Sequence, residues 1–180
     1  MKKDINIFKE VIKLENKGYE LSNTQKILLT TDGSITAILD VLNGKIAIKT
    51  LTQQFEKADS RIAKILDIEE NEEVNYRVVL MHKDDKPLIY ATSYIPLKRL
   101  EHNIKEDLIK ANIPIGRMLR KYNIESRREI EAIGIEPKTD ELLKLFNSNA
   151  DLLTREYVII KDNEKLIWIK ETFPLDYFTE

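Results

Sequence analysis

The chain of 180 residues contains no cysteine, which excludes disulfides, thiolate catalysis and cysteine-ligated metals. Histidine is nearly as scarce: His82 and His102 are the only two, neither has a ligand-spaced partner, and His82 adjoins a hairpin turn. Both read as surface residues, leaving a metal enzyme without visible ligands. With only five glycines there is no Gly-rich phosphate loop and no nucleophile elbow, so nucleotide chemistry and serine hydrolysis lack their apparatus. The N-terminal MKKDINIFKEVIKLE lacks the apolar core of a signal peptide. A formal charge of -2, with Lys, Glu and Asp interspersed, gives no electrostatic reason to bind nucleic acid or a membrane surface. These absences point to a soluble cytoplasmic protein.

What is present is a chain 42% hydrophobic and 33% charged, sized for one domain over residues 1–180 with a real core. Apolar spacing predicts helices over 4–16 and 23–30, and Ser34, following Asp32-Gly33, is the expected N-cap of a helix ending near Gly44. At Lys45 the period changes. Ile46, Ile48 and Leu51 begin a strand, and Val74–Met81 with Leu88–Ile95 form a hairpin. After Pro96 come helices over Ile104–Ala111 and Pro114–Tyr122, a strand near Arg128–Ile135, a helix near Thr139–Phe146 and a second hairpin. Consecutive hairpins imply antiparallel pairing, and helices gathered between them indicate an α+β fold: one antiparallel sheet with helices packed on it.

The two hairpins are one sequence written twice. Arg77–Leu97 and Arg155–Leu175 align without a gap at an offset of 78 residues, sharing Arg77/Arg155, Lys83/Lys161, Asp84/Asp162, Leu88/Leu166, Ile89/Ile167, Pro96/Pro174 and Leu97/Leu175. A divergence stands at Ser93, where the second copy has Glu171. On a strand, Glu171 shares a face with the apolar Ile167, Ile169 and Phe173. The turns HKDDKP and IKDNEK place Asp85 and Asn163 where a left-handed residue is tolerable, which suits a three-residue bulged loop. That register sets Arg77 opposite Ala91 and Arg155 opposite Ile169, with both guanidiniums on the Ser93/Glu171 face. A plain two-residue loop sends both to the other face.

In the bulged register Arg77, Arg155 and Glu171 stand among Val79, Met81, Ala91, Ile167, Ile169 and Phe173, at the mouth of an apolar face suited to a small organic anion. Arginine grips carboxylate bidentately, and a carboxyl among apolar side chains keeps a proton available, making Glu171 a candidate general acid. The competing interpretation is a pair of sheet-edge charges, Arg155 and Glu171, meeting in solvent. Pro114 at a first helical position leaves the N–H groups of Ile115 and Gly116 open at a helix start, where an anion can bind.

Four segments in order carry a resemblance to chorismate pyruvate-lyases, particularly archaeal ones. LLTTDGSITAIL (28–39) resembles the family's Ser-Met-Thr helical segment, and VNYRVVLMHKDDKPLIYATSYIP (74–96) its arginine-bearing hairpin. PIGRMLRKYNIESRREIE (114–131) resembles its Pro-Leu-Gly helix and following strand, and LTREYVIIKDNEKLIWIKETFPLDYF (153–178) its final hairpin with the Glu-x-Phe acid. The resemblance implies a cofactor-independent carbon–oxygen lyase of chorismate lyase-like fold that converts chorismate to 4-hydroxybenzoate and pyruvate. By the same resemblance Arg77 takes the substrate carboxylate, the backbone of Ile115 binds at the helix start, Glu171 is the acid and Ile35 lines the pocket. Arg155 and Arg128 are further contacts, and the segments 22–43 and 98–122 are lids. Ile35 and Ile115 replace the family's Met and Leu, tolerable for groups that supply shape and backbone. One residue fewer than in bacterial enzymes separates the glutamate from the closing proline, so Lys170 competes for the acid position. Glu171 is preferred because Glu-x-Phe is kept and Lys170 shares a face with Trp168 and Thr172.

The alternative expectation is a non-catalytic module that binds an aromatic carboxylate, related to the effector-binding halves of transcription regulators. Residues 23–48 imitate a helix-turn-helix and wing, but the second helix, SITAILDVLNG, carries Asp40 and no Lys or Arg, and so repels phosphate.

Overall fold

A computed structural model describes residues 5–110 and 113–180. Six strands form one antiparallel sheet, in the order β1-β2-β3-β6-β5-β4. They are β1 (Ala47–Lys57), β2 (Glu73–Lys83), β3 (Lys86–Pro96), β4 (Arg127–Glu136), β5 (Leu152–Lys161) and β6 (Glu164–Pro174). The helices are α1 (Ile7–Asn16), α2 (Asn23–Thr30), α3 (Ile35–Asn43), α4 (Ser60–Leu66), α5 (His102–Lys110), α6 (Ile115–Lys121) and α7 (Asp140–Phe146). The α+β reading holds. Asp4 and Ala111, the outer residues of two expected helices, lie outside the described residues.

Local sequence explains the helix starts. Asn6 caps α1 by accepting from the Lys9 N–H, and Ser22 and Gln25 form a reciprocal capping box on α2. Gln25 is also buried, its amide donating to the carbonyls of Leu175 and Tyr177, which stitches α2 to the C-terminal tail. Helix α4 has no counterpart among the sequence expectations. Asp59 caps it, Asp67 in the left-handed conformation ends it, and the Arg99 guanidinium satisfies the carbonyls of Leu66 and Asp67.

The duplication extends well beyond the hairpins. Each half runs strand, short helix, hairpin: β1-α4-β2-β3 and β4-α7-β5-β6. Both edge strands carry a bulge where they meet the hairpin, at Thr50/Thr52 and at Ile130/Ala132, and both short helices end on a left-handed residue, Asp67 and Asn147. The halves meet where β3 pairs with β6. There Ala91 faces Glu171, Ser93 faces Ile169 and Thr92 faces its own counterpart Lys170. A pseudo-twofold axis therefore passes by the Thr92/Lys170 pair.

The hairpin register differs from the expectation in detail. Lys83 pairs with Lys86 and Lys161 with Glu164, so both loops have two residues. Asp84, Asp162 and Asn163 take positive φ; Asp85 does not. Parity is then restored by a bulge, because Leu88 and Leu166 are skipped between successive pairs. Arg77 ends opposite Ser93 and Arg155 opposite Glu171, two positions from the expected partners Ala91 and Ile169. A two-residue shift leaves every side chain on its face, so the guanidiniums stand where the bulged-loop reading put them.

The main core fills the space between this face and α1, α2, α3, α5 and α6, and includes Leu28, Leu39, Ile89, Ile95, Leu108, Met118, Leu153, Ile167 and Phe173. On the opposite face α4 packs Ile62, Ala63 and Leu66 against Val74, Val158, Ile160 and Trp168.

Candidate functional site

On the main-core side a cavity lies between the sheet centre and two helix starts. Strand residues Val79, Met81, Ala91, Ile159 and Ile169 give it apolar walls, and Ser34–Thr36 with Pro114–Gly116 close it from above. Its charged lining consists of Arg77, Arg128 and Glu171, joined by the hydroxyls of Ser93 and Tyr157. Ile167 and Phe173, expected at its mouth, are instead packed wholly in the core.

The two helix starts differ from their sequence reading. Ser34 is the N-cap of α3, but its hydroxyl makes no capping bond. It points toward Gly116 instead, close enough that a Cβ there would lie 2.7 Å from Ser34 Oγ. Pro114 is the N-cap of α6 rather than its first helical residue, because ψ of 141° is extended; its carbonyl accepts from Arg117 and Met118. The two helices are locked together one turn further on. Arg117 Nη2 reaches Asp40 Oδ1 and Oδ2 at 2.7 and 2.9 Å, and Asp40 Oδ1 also accepts from the Ile46 N–H. Burial alone raises the Asp40 pKa, yet these hydrogen bonds and the charges of Arg117 and Arg120 hold it below the ordinary carboxylate value. The acidic residue that disqualified α3 as a DNA reader is thus a latch between the two helices that roof the cavity.

Arg77 is 1% exposed, and burial pushes its guanidinium down to about 10, still fully charged near neutrality. Its Nη1 donates to the Ile113 carbonyl at 3.2 Å and its Nη2 to Thr50 Oγ1 at 3.4 Å. Arg128, half-buried on β4, donates from Nη1 to the Asp32 carbonyl at 3.5 Å.

Glu171 faces the cavity, and Arg155 stands behind it outside the lining. Arg155 Nε donates to Glu171 Oε2 at 2.8 Å with both side chains almost wholly buried, so this ion pair is interior rather than a solvent pair at a sheet edge. The Tyr157 hydroxyl donates to Glu171 Oε1 at 3.1 Å. Tyr157 was not among the residues singled out from sequence. Its signal was available, since it lies two positions after Arg155 on the same strand face and occupies the place of Val79 in the duplicate. Lys170, the competitor for the acid position, sits on the opposite face in ion pairs with Glu136 and Glu156.

The family model described as chorismate pyruvate-lyase Rv2949c-like matches residues 29–179, a span that contains every residue lining the cavity. The chain belongs to this family. It is also 41% identical over 174 residues to "Putative lyase MJ0807" of Methanocaldococcus jannaschii, covering 93% of this chain and 86% of that protein. Among solved structures, the effector domain of PhnF from Mycobacterium smegmatis superposes with a TM-score of 0.68 at 13% identity, over 82% of this chain and 92% of that one. A GntR-family transcriptional regulator from Bacillus cereus gives 0.59 at 14%, over 75% and 94%. At these identities the regulators establish the fold alone. Among the described residues, no helix is long and apolar enough to cross a membrane.

Proposed function

We propose that the protein is a cofactor-independent lyase that converts chorismate to 4-hydroxybenzoate and pyruvate in this cavity. The observation that carries the reading is the arrangement of a buried guanidinium, Arg77, and a buried carboxylate, Glu171, on one apolar wall of an enclosed space. Its lining, apolar side chains with a few converging charged and polar groups, suits a small organic acid. Chorismate is a dianion. Arg77 takes the ring carboxylate, and the open N–H groups of Ile115 and Gly116, with Arg128, receive the second carboxylate on the enolpyruvyl arm. Ile35 and the strand residues Val79, Met81, Ala91 and Ile169 hold the ring.

Little more than this is required chemically. Loss of the enolpyruvyl group together with one ring hydrogen gives an aromatic product, so the reaction runs strongly downhill. The protein's contribution is orientation, exclusion of water and management of one proton beside the departing oxygen. Glu171 serves the proton and Arg77 the orientation. With the roof formed by α3 and α6, product leaves only when these helix starts part, which makes release a candidate for the slow step.

The test is turnover of chorismate by the purified protein and two variants. Arg77→Ala is expected to raise KM and weaken 4-hydroxybenzoate binding at least tenfold, as the loss of a charged hydrogen-bond partner costs about 1.5–3 kcal/mol. Glu171→Gln, nearly isosteric, is expected to lower kcat by about 10²–10⁴. Unchanged kcat in Glu171→Gln would remove that residue from the mechanism.

A further inference from the structure

The duplicated sheet places two arginines at equivalent positions and treats them differently. Opposite Arg77 the neighbouring strand carries Ser93; opposite Arg155 it carries Glu171. Arg77 lines the cavity, whereas Arg155 is withdrawn behind the carboxylate with no exposed surface at all. The Arg155 side chain is held in place so that its Nε fixes Glu171. Its Nε holds Oε2, and its Nη1 donates to the carbonyls of Leu28 at 2.9 Å and Thr31 at 2.8 Å, at the C-terminal end of α2. Its guanidinium carbon lies 4.5 Å from the centre of the Tyr157 ring. Tyr157, also buried, takes the other carboxylate oxygen with its hydroxyl. Burial and the charge of Glu171 both push the Tyr157 pKa up, so the hydroxyl stays a donor.

A wholly buried guanidinium is tolerated only beside an anion. Burial works against the Arg155 charge, but the charge and hydrogen bond of Glu171, together with Tyr157, more than offset it. Both groups that meet the Glu171 carboxyl are donors, one of them a guanidinium, so the geometry arranges each of its oxygens as an acceptor beside the cavity. A carboxyl whose two oxygens both accept must take up a proton before it can give one.

We propose that Arg155 and Tyr157 are positioning residues that hold Glu171 as an ionised base, and that Glu171 first removes the hydrogen at C4 of the ring and then returns the proton to the departing enolpyruvyl group. The proposal rests on the chorismate reading. In chorismate the oxygens at C3 and C4 are trans, so the C4 hydrogen lies on the same ring face as the departing ether oxygen, within reach of a single carboxylate. The Glu171 carboxylate takes that hydrogen as a proton, and the C4–H electrons become the new C3–C4 double bond. The C3–O bond breaks with its electron pair on oxygen, releasing the enolate of pyruvate. That enolate takes the proton from Glu171 and becomes pyruvate, restoring the carboxylate, so no further reactant is consumed.

The test is single-turnover kinetics of the wild-type protein, Tyr157→Phe, Arg155→Lys and Arg155→Met with chorismate carrying hydrogen or deuterium at C4, alongside 4-hydroxybenzoate affinity and thermal melting. Wild type is expected to react more slowly with the deuterated substrate. Tyr157→Phe is expected to lose about ten- to a hundredfold in single-turnover rate, with product affinity and melting temperature little changed, because the base is retained but released on one side. Arg155→Lys, which keeps the charge without the planar fork, is expected to retain more activity than Arg155→Met. Equal rates for the two isotopic substrates, or a wild-type rate in Tyr157→Phe, would overturn the base-first proposal while leaving the lyase intact. A wild-type protein with no turnover would overturn both.

Discussion

At the scale of single residues, the cavity depends on side chains whose roles follow from what they are buried against. Gly116 is a case where the missing side chain is the function. Alanine in place of glycine in a helix is ordinarily favourable by up to about 1 kcal/mol. Here the added Cβ would press on Ser34 Oγ at 2.7 Å, and overpacking of this kind costs about 1–3 kcal/mol. Gly116→Ala is expected to lower the melting temperature and weaken product binding, and Ser34→Ala in the same chain to restore both. An additive pair of effects, read from a double-mutant cycle, would show that the contact is not responsible. The residues also show what sequence could and could not supply. Arg77 and Glu171 were legible because strand alternation and the duplicate comparison both single them out. Tyr157 was overlooked because a tyrosine on a buried strand reads as packing until its hydroxyl is seen against a carboxylate.

Among elements, the two roof helices act together because Asp40 and Arg117 join them. The Asp40 pKa is lowered in the folded chain, so its contribution is present above the unfolded value of about 3.9 and is lost as pH falls through the lower folded value. For a pair about 30% exposed the gain is about 1 kcal/mol. Wild type is therefore expected to lose stability relative to Asp40→Asn as pH drops below about 4, with the difference between the two melting curves shrinking, while at neutral pH Asp40→Asn releases bound 4-hydroxybenzoate faster. Equal stability of the two proteins at pH 7 would mean that the latch is idle. Elements were the scale at which sequence reading was most complete, since apolar period and caps gave six of the seven helices among the described residues and both hairpins. Helix α4 was missed because its short apolar run is too brief to establish a period; only its place as the counterpart of α7, before a left-handed Asp67 matching Asn147, reveals it. The loop geometry was also beyond sequence, since a two-residue turn followed by a bulge at Leu88 or Leu166 yields the same facing as a three-residue loop.

For the whole molecule, the organising fact is a duplicated half-sheet whose two copies have diverged at the positions that matter to the site, Ser93/Glu171 and Val79/Tyr157. The pseudo-twofold relation makes Ser93 the counterpart of Glu171, and a serine there leaves the cavity wall beside Arg77 without a carboxylate across the strand. Ser93→Glu would recreate the Arg155–Glu171 pair in the first half and neutralise the guanidinium expected to receive the substrate. Binding of 4-hydroxybenzoate is expected to fall at least a hundredfold while the far-ultraviolet spectrum stays that of the wild type; retained affinity would mean that Arg77 does not meet the ligand carboxylate.

The most direct measurement is incubation of the purified wild-type protein with chorismate, following 4-hydroxybenzoate and pyruvate together by chromatography against the spontaneous breakdown of chorismate alone. Release of the two products in equal amounts, at a rate proportional to protein concentration, is the expected result. Saturable binding of 4-hydroxybenzoate with chorismate left at its spontaneous rate of breakdown would contradict a lyase and leave a ligand-binding module in its place.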